Sequence, residues 1–386
     1  DGVASTDVII EAGSTVPFTT IGNIGFEVNG DFTKLYLDMS SKVPFTVELL
    51  PQSYVDATST VPNFTIGDFT ADKLKLTFNY VTDVSALPNL SGSPLFSSVG
   101  GWEKDGSNYS VTLTLARSFY GMYSKYEGNT LVFSFNNPPM ISTASNSYGY
   151  SLRGLTVLLD PGHGGSSPGA VGANPNYPEK RINLELAGKV AAILEDLGAK
   201  VIMMRTSDVY ISIENRAALC SQYKPDIFIS IHHNWAASVS AYGTDSFYFM
   251  PFSKDLANAI YKRMIGYYDS SMYSGANSSA YKRGCNYYPF YVTRHWYCPA
   301  TLIEYGFMSN SAELQKIIDP ITQDGFARAT VRGIIDYFVS SGIVVDGGAV
   351  SSEPSQPAVS SDPAVSSEES PVEFSSLEAS SMPAQD

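Results

Sequence analysis

Cysteine, histidine and positive charge are all scarce in this chain. Its 386 residues include only 3 cysteines and 4 histidines. Cys220, Cys285 and Cys298 are too few and too widely spaced to predict a disulfide framework or a cysteine-rich zinc site. Lysine and arginine total 24 against 38 aspartates and glutamates, which gives a formal net charge of −14. Because nucleic-acid binding needs a basic surface, we expect no nucleic-acid partner.

Two further absences narrow the range of functions. No run approaches the roughly 18 apolar residues of a membrane span, so we expect no membrane-spanning segment. The Gly-x-x-x-x-Gly-Lys-Ser/Thr pattern of nucleotide-binding loops is missing as well. These absences argue against a membrane-spanning protein and against a nucleotide-driven enzyme.

The acidic charge lies outside the middle of the chain. Residues 154–340 contain 16 basic and 16 acidic side chains, whereas residues 1–153 contain 8 basic and 14 acidic ones. Residues 341–386 contain 8 acidic side chains and no basic ones. From 346 to 386 the chain is mainly Ser, Pro, Glu and Ala, with almost nothing to bury, so we predict a disordered acidic tail.

Residues 1–140 have the pattern of an all-β domain. Apolar and polar residues alternate in short runs rich in Thr, Val, Phe and Tyr, and turn-forming residues separate the runs. The clearest runs are 34–39, 73–78, 109–115 and 130–135. Alternation with period two is typical of half-buried antiparallel strands. We therefore predict a sandwich-like domain over 1–140, followed by a linker over 141–153.

From residue 154 to residue 342 short apolar runs alternate with helical patterns. The apolar runs begin at Leu155, Val201, Ile227 and Ala300. Strand–helix alternation at this spacing predicts an α/β domain of three layers, in which helices cover both faces of a mainly parallel sheet.

Three of the four histidines directly follow predicted strands. His163 lies in the glycine-rich segment 160–165 after the first strand, and His232 and His233 follow the third. Because the carboxyl ends of parallel strands share one edge of the sheet, His163 can meet either His232 or His233 there. A histidine at a strand end often only satisfies loop hydrogen bonds. Two such strand ends together favour a metal site.

Two carboxylates belong to the same edge. A catalytic zinc takes three protein ligands and keeps one position open for water, and Glu179, just before the first predicted helix, is a candidate third ligand. A carboxylate in a first helical turn also complements the helix dipole, so Glu179 alone fits either role. Glu304 ends an apolar strand, where an unpaired buried charge is costly. We therefore predict that Glu304 is the catalytic base.

These residues lie in five segments that resemble, in order and spacing, the zinc-dependent N-acetylmuramoyl-L-alanine amidases. The segments are 160–165, Glu179, 206–216, 230–234 and 302–310. The resemblance implies one zinc ion held by His163, Glu179 and His232, with Glu304 catalytic. It also implies a peptidoglycan substrate, cut between N-acetylmuramic acid and the L-alanine of the stem peptide, and a secreted or envelope-associated location in a bacterium.

Three further residues are candidates for contact with substrate. His233 stands where the family often has a small residue, and we expect it to face solvent or substrate rather than the metal. Asn234 follows it in the same segment. Arg294 lies in a segment that resembles the one before the family's last strand, where an arginine can meet a carboxylate of the stem peptide.

The N-terminal region resembles the amidase N-terminal (AMIN) domains in position and pattern, though not in motif. That resemblance implies targeting to the cell wall and envelope partners. The aromatic stretch 119–126 fits either stacking on sugars or a buried core. Two other functions remain open, namely a zinc amidohydrolase or carboxypeptidase acting on soluble peptides, and a wall-binding protein that has lost catalysis.

Overall fold

An all-β unit precedes an α/β unit along the chain. The computed structural model describes residues 4–5, 17–50, 71–274 and 279–346. The predicted acidic tail lies outside the described residues from 347 onward. No helix within the described ranges is both long and apolar enough to cross a membrane.

Two mainly antiparallel sheets form the N-terminal unit. The first has the order β1 (Ala4–Ser5), β4 (Phe45–Leu50), β5 (Lys73–Phe78), β9 (Asn108–Leu115) and β7 (Phe96–Val99), with β8 (Glu103–Asp105) also paired to β9. The second has the order β10 (Met122–Glu127), β11 (Thr130–Asn136), β3 (Phe32–Met39), β2 (Thr19–Val28) and β6 (Val81–Val84).

Alternation of side chains builds the core between these sheets. In β5 the side chains of Leu74, Leu76 and Phe78 are buried, and the residues between them are more exposed. Successive residues of a strand face opposite sides, so only every second one needs to be apolar. Phe45 of the first sheet contacts Phe133 of the second, with ring centroids 4.9 Å apart. The unit is therefore a β sandwich.

The α/β unit is built on a six-stranded mixed sheet. Its order is β15 (Lys200–Met203), β14 (Thr156–Pro161), β16 (Ile227–Asn234), β19 (Ala300–Phe307), β17 (Thr244–Tyr248) and β18 (Lys282–Tyr287). The first four strands are parallel, whereas β17 and β18 run the opposite way. Residues 235–243, which follow β16, are too few for the crossover of about a dozen residues that a parallel strand needs. The expected parallel sheet is therefore limited to four strands, and three of them, β14, β16 and β19, position predicted site residues.

Helices cover both faces of this sheet. One face packs against α1 (Glu179–Asp196), α3 (Lys254–Tyr267), α4 (Ser311–Ile317) and α5 (Pro320–Ser340). The other face packs against α2 (Ile213–Tyr223) and the segment 290–298. α3 continues into a π-helical turn at Tyr268–Met272, and short 3-10 turns lie at Pro251–Ser253 and Tyr291–Thr293.

The predicted linker at 141–153 takes part in a small sheet of its own. β12 (Ile141–Thr143) pairs with β13 (Tyr150–Ser151) and with β20 (Val344–Val345), which follows α5. Ile141 is fully buried, and its N–H donates to the carbonyl of Ile343 at 3.1 Å. The segment between the two units is therefore anchored to the far end of the α/β unit.

The two units meet in a buried aromatic interface. Phe119 of the sandwich packs edge-on against Trp296 of the α/β unit, with centroids 6.1 Å apart. Gly121 has a φ of 97°, and a Cβ there would lie 2.6 Å from the backbone of Tyr297, so only glycine permits this approach. The first half of the aromatic stretch 119–126 thus belongs to the interface core.

The buried carboxyl of Glu313 is expected to make folding stability depend on pH. It accepts hydrogen bonds from the N–H groups of Phe307 at 2.8 Å and Gly243 at 2.9 Å. Burial nevertheless raises its pKa to about 7. The folded protein therefore keeps this proton to a higher pH than the unfolded chain does. The contribution of Glu313 to folding stability is therefore largest at acidic pH and falls as the pH rises towards about 7, by at most about 1.4 kcal/mol per pH unit.

A Glu313→Gln variant tests this expectation, because glutamine does not titrate. Urea denaturation between about pH 5 and about pH 8 is expected to show a smaller loss of unfolding free energy in the variant than in the parent. Parallel pH profiles for the two proteins would assign the pH dependence to other groups.

Candidate metal centre

His163, Glu179 and His232 form a compact cluster at the carboxyl edge of the parallel strands. His163 follows β14, Glu179 begins α1, and His232 lies near the end of β16. Glu179 Oε2 lies 3.1 Å from Nε2 of His163, and its Oε1 lies 2.9 Å from Nδ1 of His232. One ligand atom from each residue lies within 4.8 Å of the other two. The shared strand edge predicted that His163 would meet one of the two adjacent histidines, and the family resemblance implied His232 and Glu179 as the other members of the cluster.

Glu179 is the buried centre of the cluster. Its burial raises the pKa of the carboxyl, but the hydrogen bonds and charge of His163 and His232 together hold that pKa well below its usual range. The N–H of Ala170 donates to Oε2 at 2.9 Å, and Nδ2 of Asn183 donates to Oε1 at 3.1 Å. The cluster thus combines an ionised carboxylate with two imidazoles.

Two arginines hold the loop that carries His163. Arg216 donates to the carbonyl of His163 at 2.6 Å and forms a buried ion pair with Asp160. Arg205 donates from Nε to the carbonyl of Pro161 at 2.9 Å. His163 has a φ of 61°, in the left-handed region that residues other than glycine rarely occupy. The arginine hydrogen bonds offset that strain and fix the imidazole against Glu179.

Glu304 lies beside the cluster in a row of three residues on adjacent strands. His232 pairs with Glu304, and Glu304 pairs with Asp245, so all three side chains share one face of the sheet. Glu304 Oε2 is buried and has no hydrogen-bond partner among the described residues. Burial, together with the charges of Glu179 and Asp245, raises its pKa well above the usual range. A buried carboxyl oxygen without a partner is rare in a folded protein and is typical of a functional site.

Asp245 is the member of this row that sequence reasoning missed. It is 5% exposed, and it accepts hydrogen bonds from Arg283 Nε and Asn286 Nδ2, each at 3.2 Å. Burial raises its pKa to about 6. An acidic residue inside the largely apolar run 244–250 was the available signal, since such a residue needs buried partners.

His233 faces the opposite side of β16 from His232. It is only 2% exposed, and its Nδ1 lies 2.8 Å from Oδ1 of Asn183 on α1. Burial lowers its pKa to about 3. The structure differs here from the expectation that His233 faces solvent or substrate, because α1 covers this face of the sheet. Its N–H also donates to Glu179 Oε1 at 3.2 Å, so the backbone of His233 supports the cluster.

The other two predicted substrate contacts lie at opposite ends of the sheet. Asn234 ends β16, next to the cluster, and its Oδ1 accepts from the N–H of Trp235 at 2.7 Å. Arg294 is exposed, and its Nε donates to the carbonyl of Pro289 at 2.6 Å. Its neighbour His295 packs against Phe228, at the amino end of β16. The structure therefore does not bring Arg294 together with the cluster.

Comparisons with known proteins match a large part of the chain, and the family match lies within the α/β unit. A family profile described as N-acetylmuramoyl-L-alanine amidase matches residues 157–336. The chain is 34% identical over 187 residues to the uncharacterized protein YqiI of Bacillus subtilis. The aligned segment covers 48% of this chain and 86% of YqiI. It is 29% identical over 238 residues to the N-acetylmuramoyl-L-alanine amidase LytC of the same organism. This alignment covers 61% of this chain and 44% of LytC. The chain thus spans less than half the length of LytC.

Solved structures also match about half of the chain. An N-acetylmuramoyl-L-alanine amidase from Clostridium difficile is 34% identical and covers 49% of this chain and 98% of its own, with a TM-score of 0.45. The catalytic domain of the amidase CwlV from Bacillus (Paenibacillus) polymyxa is 31% identical and covers 48% of this chain and 98% of its own, with a TM-score of 0.43.

Proposed function

The chain belongs to the N-acetylmuramoyl-L-alanine amidase family, and from this membership we propose that it hydrolyses peptidoglycan. The bond we propose is the amide between N-acetylmuramic acid and the L-alanine of the stem peptide. The observation that carries the proposal is the unpaired Oε2 of Glu304 beside the cluster of His163, Glu179 and His232.

Zinc is the metal we propose for this cluster. Two imidazole nitrogens and one carboxylate are a donor set of catalytic zinc sites, and they leave a position for water. Two ligands at the usual distance of about 2 Å from a tetrahedral ion lie about 3.3 Å apart, and the oxygens of Glu179 lie 3.1 Å from Nε2 of His163 and 2.9 Å from Nδ1 of His232. The chemistry that such an ion supplies is polarisation of the amide carbonyl and a lower pKa for a water molecule.

Glu304 carries the proton transfers in this proposal. Its Oε2 has no other partner among the described residues, so it is available to accept a proton from the attacking water. It then donates that proton to the leaving nitrogen of L-alanine. Water adds to the carbonyl carbon and the carbon–nitrogen bond breaks. The products are a carboxylate on the lactyl group of the sugar and a free amino group on the peptide.

Other side chains act by positioning these groups. Asn183 bridges the carbonyl of Gly162 at 3.2 Å and Glu179 Oε1 at 3.1 Å, so it fixes the carboxylate against the loop of His163. Arg216 holds the same loop from the opposite side through the carbonyl of His163. Partners of this kind orient ligands and tune metal affinity.

The β sandwich is the part that we propose holds the enzyme at the cell wall. The basis is its AMIN-like pattern and its position before the catalytic region, and we place the boundaries of the two domains at 1–140 and 154–342.

A relative in Staphylococcus aureus, 33% identical over 189 residues, is the probable cell wall amidase LytH. We therefore propose that the protein acts outside the cytoplasm, at the bacterial envelope.

Digestion of purified peptidoglycan with and without a chelator tests the bond and the metal together. The expected products, seen by mass spectrometry, are free stem peptides that begin with L-alanine. They should disappear with the chelator and return with added Zn²⁺. New reducing sugar ends would instead identify a glycosidase, and cleavage of soluble peptides alone would favour the carboxypeptidase alternative.

A further inference from the structure

A second cluster of metal-binding side chains lies at the amino edge of the sheet. Cys220, near the end of α2, lies with its Sγ 3.7 Å from Sγ of Cys298, which is 78 residues away in sequence. Both side chains are fully buried. With His295 they place one ligand atom each within 4.8 Å of the others. These two cysteines meet although they are far apart in sequence, because the fold joins α2 to the segment before β19.

His295 is the member of the cluster that most needs a partner. Both of its ring nitrogens are buried, and neither has a hydrogen-bond partner within the described part of the chain. Its ring lies between Phe228, edge-on at 5.6 Å, and Tyr297, stacked at 5.5 Å, and these rings cannot accept its proton in a normal hydrogen bond. A buried polar group left unpaired destabilises the fold. A ligand at this place would remove that destabilisation.

We propose that Cys220, His295 and Cys298 bind a structural zinc ion. Two thiolates at about 2.3 Å from a tetrahedral zinc lie about 3.8 Å from each other, close to the spacing of the two sulfur atoms here. A disulfide requires a sulfur–sulfur distance of about 2.05 Å, and all three cysteines are free. Binding releases the two thiol protons, and a water molecule can complete the coordination.

The surroundings of the cluster favour a thiolate-bound ion. The cysteines belong to a core on the α2 face of the sheet with Leu158, Phe228 and Leu302. This apolar shell shields the sulfur atoms from bulk solvent. The two proposed metal sites also differ in their ligand atoms. The site at the amino edge offers two sulfur atoms, which favour zinc, whereas the cluster of Glu179 offers only nitrogen and oxygen.

The position of the cluster indicates a structural role rather than a catalytic one. Cys298 precedes Glu304 by six residues of extended chain, about 20 Å at the usual rise of a strand. The stack of rings continues from His295 through Tyr297 to Tyr123 of the sandwich, whose ring lies 5.1 Å from that of Tyr297. A bound ion would therefore fasten α2 and the segment before β19 directly beneath the interface with the sandwich.

Cobalt titration of the reduced, metal-free full chain tests the proposal. Only a cysteine site can give thiolate-to-cobalt charge-transfer absorption in the near ultraviolet. We expect two Co²⁺ ions per chain together with this band in the parent protein and in Cys285→Ser, which changes the cysteine on β18 outside the cluster. We expect Cys298→Ser to bind one ion and to lack the band.

Two further variants keep the outcome clear. His163→Ala is expected to bind one ion fewer than the parent and to keep the thiolate band. Loss of metal binding at the cluster of Glu179 would then leave metal binding at the cysteine site unchanged. His295→Gln keeps both thiols, and we expect it to weaken cobalt binding at the thiolate site by about 10-fold or more, even if Cys298→Ser fails to fold. A parent protein that shows no thiolate band, or one purified with a Cys220–Cys298 disulfide, would overturn the proposal.

Discussion

Replacing Glu304 with glutamine is expected to lower kcat on peptidoglycan by about 10²–10⁴-fold, the usual contribution of a positioned general base. Glutamine keeps the shape of the side chain but cannot accept the proton of water. Because Glu304 Oε2 has no hydrogen-bond partner among the residues that the structure describes, little else is lost. The release of L-alanine amino groups gives the rate, and elemental analysis gives the metal content, which should not change.

Glu313→Gln is the matched control for this experiment. Both residues are buried glutamates near the carboxyl end of β19, but Glu313 bonds to backbone and tyrosine groups outside the row of His232, Glu304 and Asp245. We expect the control to keep most of its turnover. A Glu304→Gln variant with near-parental rates, or an equal loss in both variants, would remove Glu304 from the chemistry.

Replacing His232 with alanine is expected to remove both the metal and the activity, whereas the same change at His233 should leave both largely intact. His232 Nδ1 lies 2.9 Å from Glu179, in the cluster. His233 reaches that carboxylate only through its N–H and through Asn183, and its N–H remains in the alanine variant. We expect turnover to fall by roughly 10³-fold or more in His232→Ala, because two ligands do not hold a catalytic zinc.

The neighbouring change gives this prediction its control. We expect His233→Ala to weaken metal binding by about 10-fold at most, the lower end of the effect of a supporting partner. Metal content after dialysis and turnover should be measured on the same samples. If His233→Ala loses the metal and His232→Ala keeps it, the ligand has been assigned to the wrong histidine.

The alternation of apolar and polar residues along the sequence predicted those strands that bury one face in a core. The alternating run 73–78 coincides with β5, because one side of that strand forms the sandwich core. His163 lies close to the histidine pair at the end of β16 as expected, because the carboxyl ends of parallel strands share an edge. Glu179, at the start of α1, was implied mainly by the family resemblance. The choice between His232 and His233 needed the family resemblance, since alternation states only that they face opposite sides.

The features that the sequence did not predict depend on contacts between distant segments. The hydroxyl of Ser253, which directly precedes α3, accepts a hydrogen bond from the N–H of Ala300 at 2.9 Å and does not cap the helix. Asp245 reaches Glu304 only because β17 reverses beside β19. Cys220 and Cys298 meet only because α2 packs on the same face as the segment before β19. Spacing along the chain contains no information about any of these meetings.

The glycine at 121 has a mechanical consequence. Since its missing side chain lets the sandwich backbone rest directly on that of Tyr297, the sandwich cannot swing about a hinge at this point without breaking the contact. If the sandwich binds peptidoglycan, as we propose, this contact would fix the distance and angle between the bound glycan and Glu304. The bond that is cut would then lie at a fixed position relative to the glycan bound by the sandwich, which a flexible linker between the two units would not ensure.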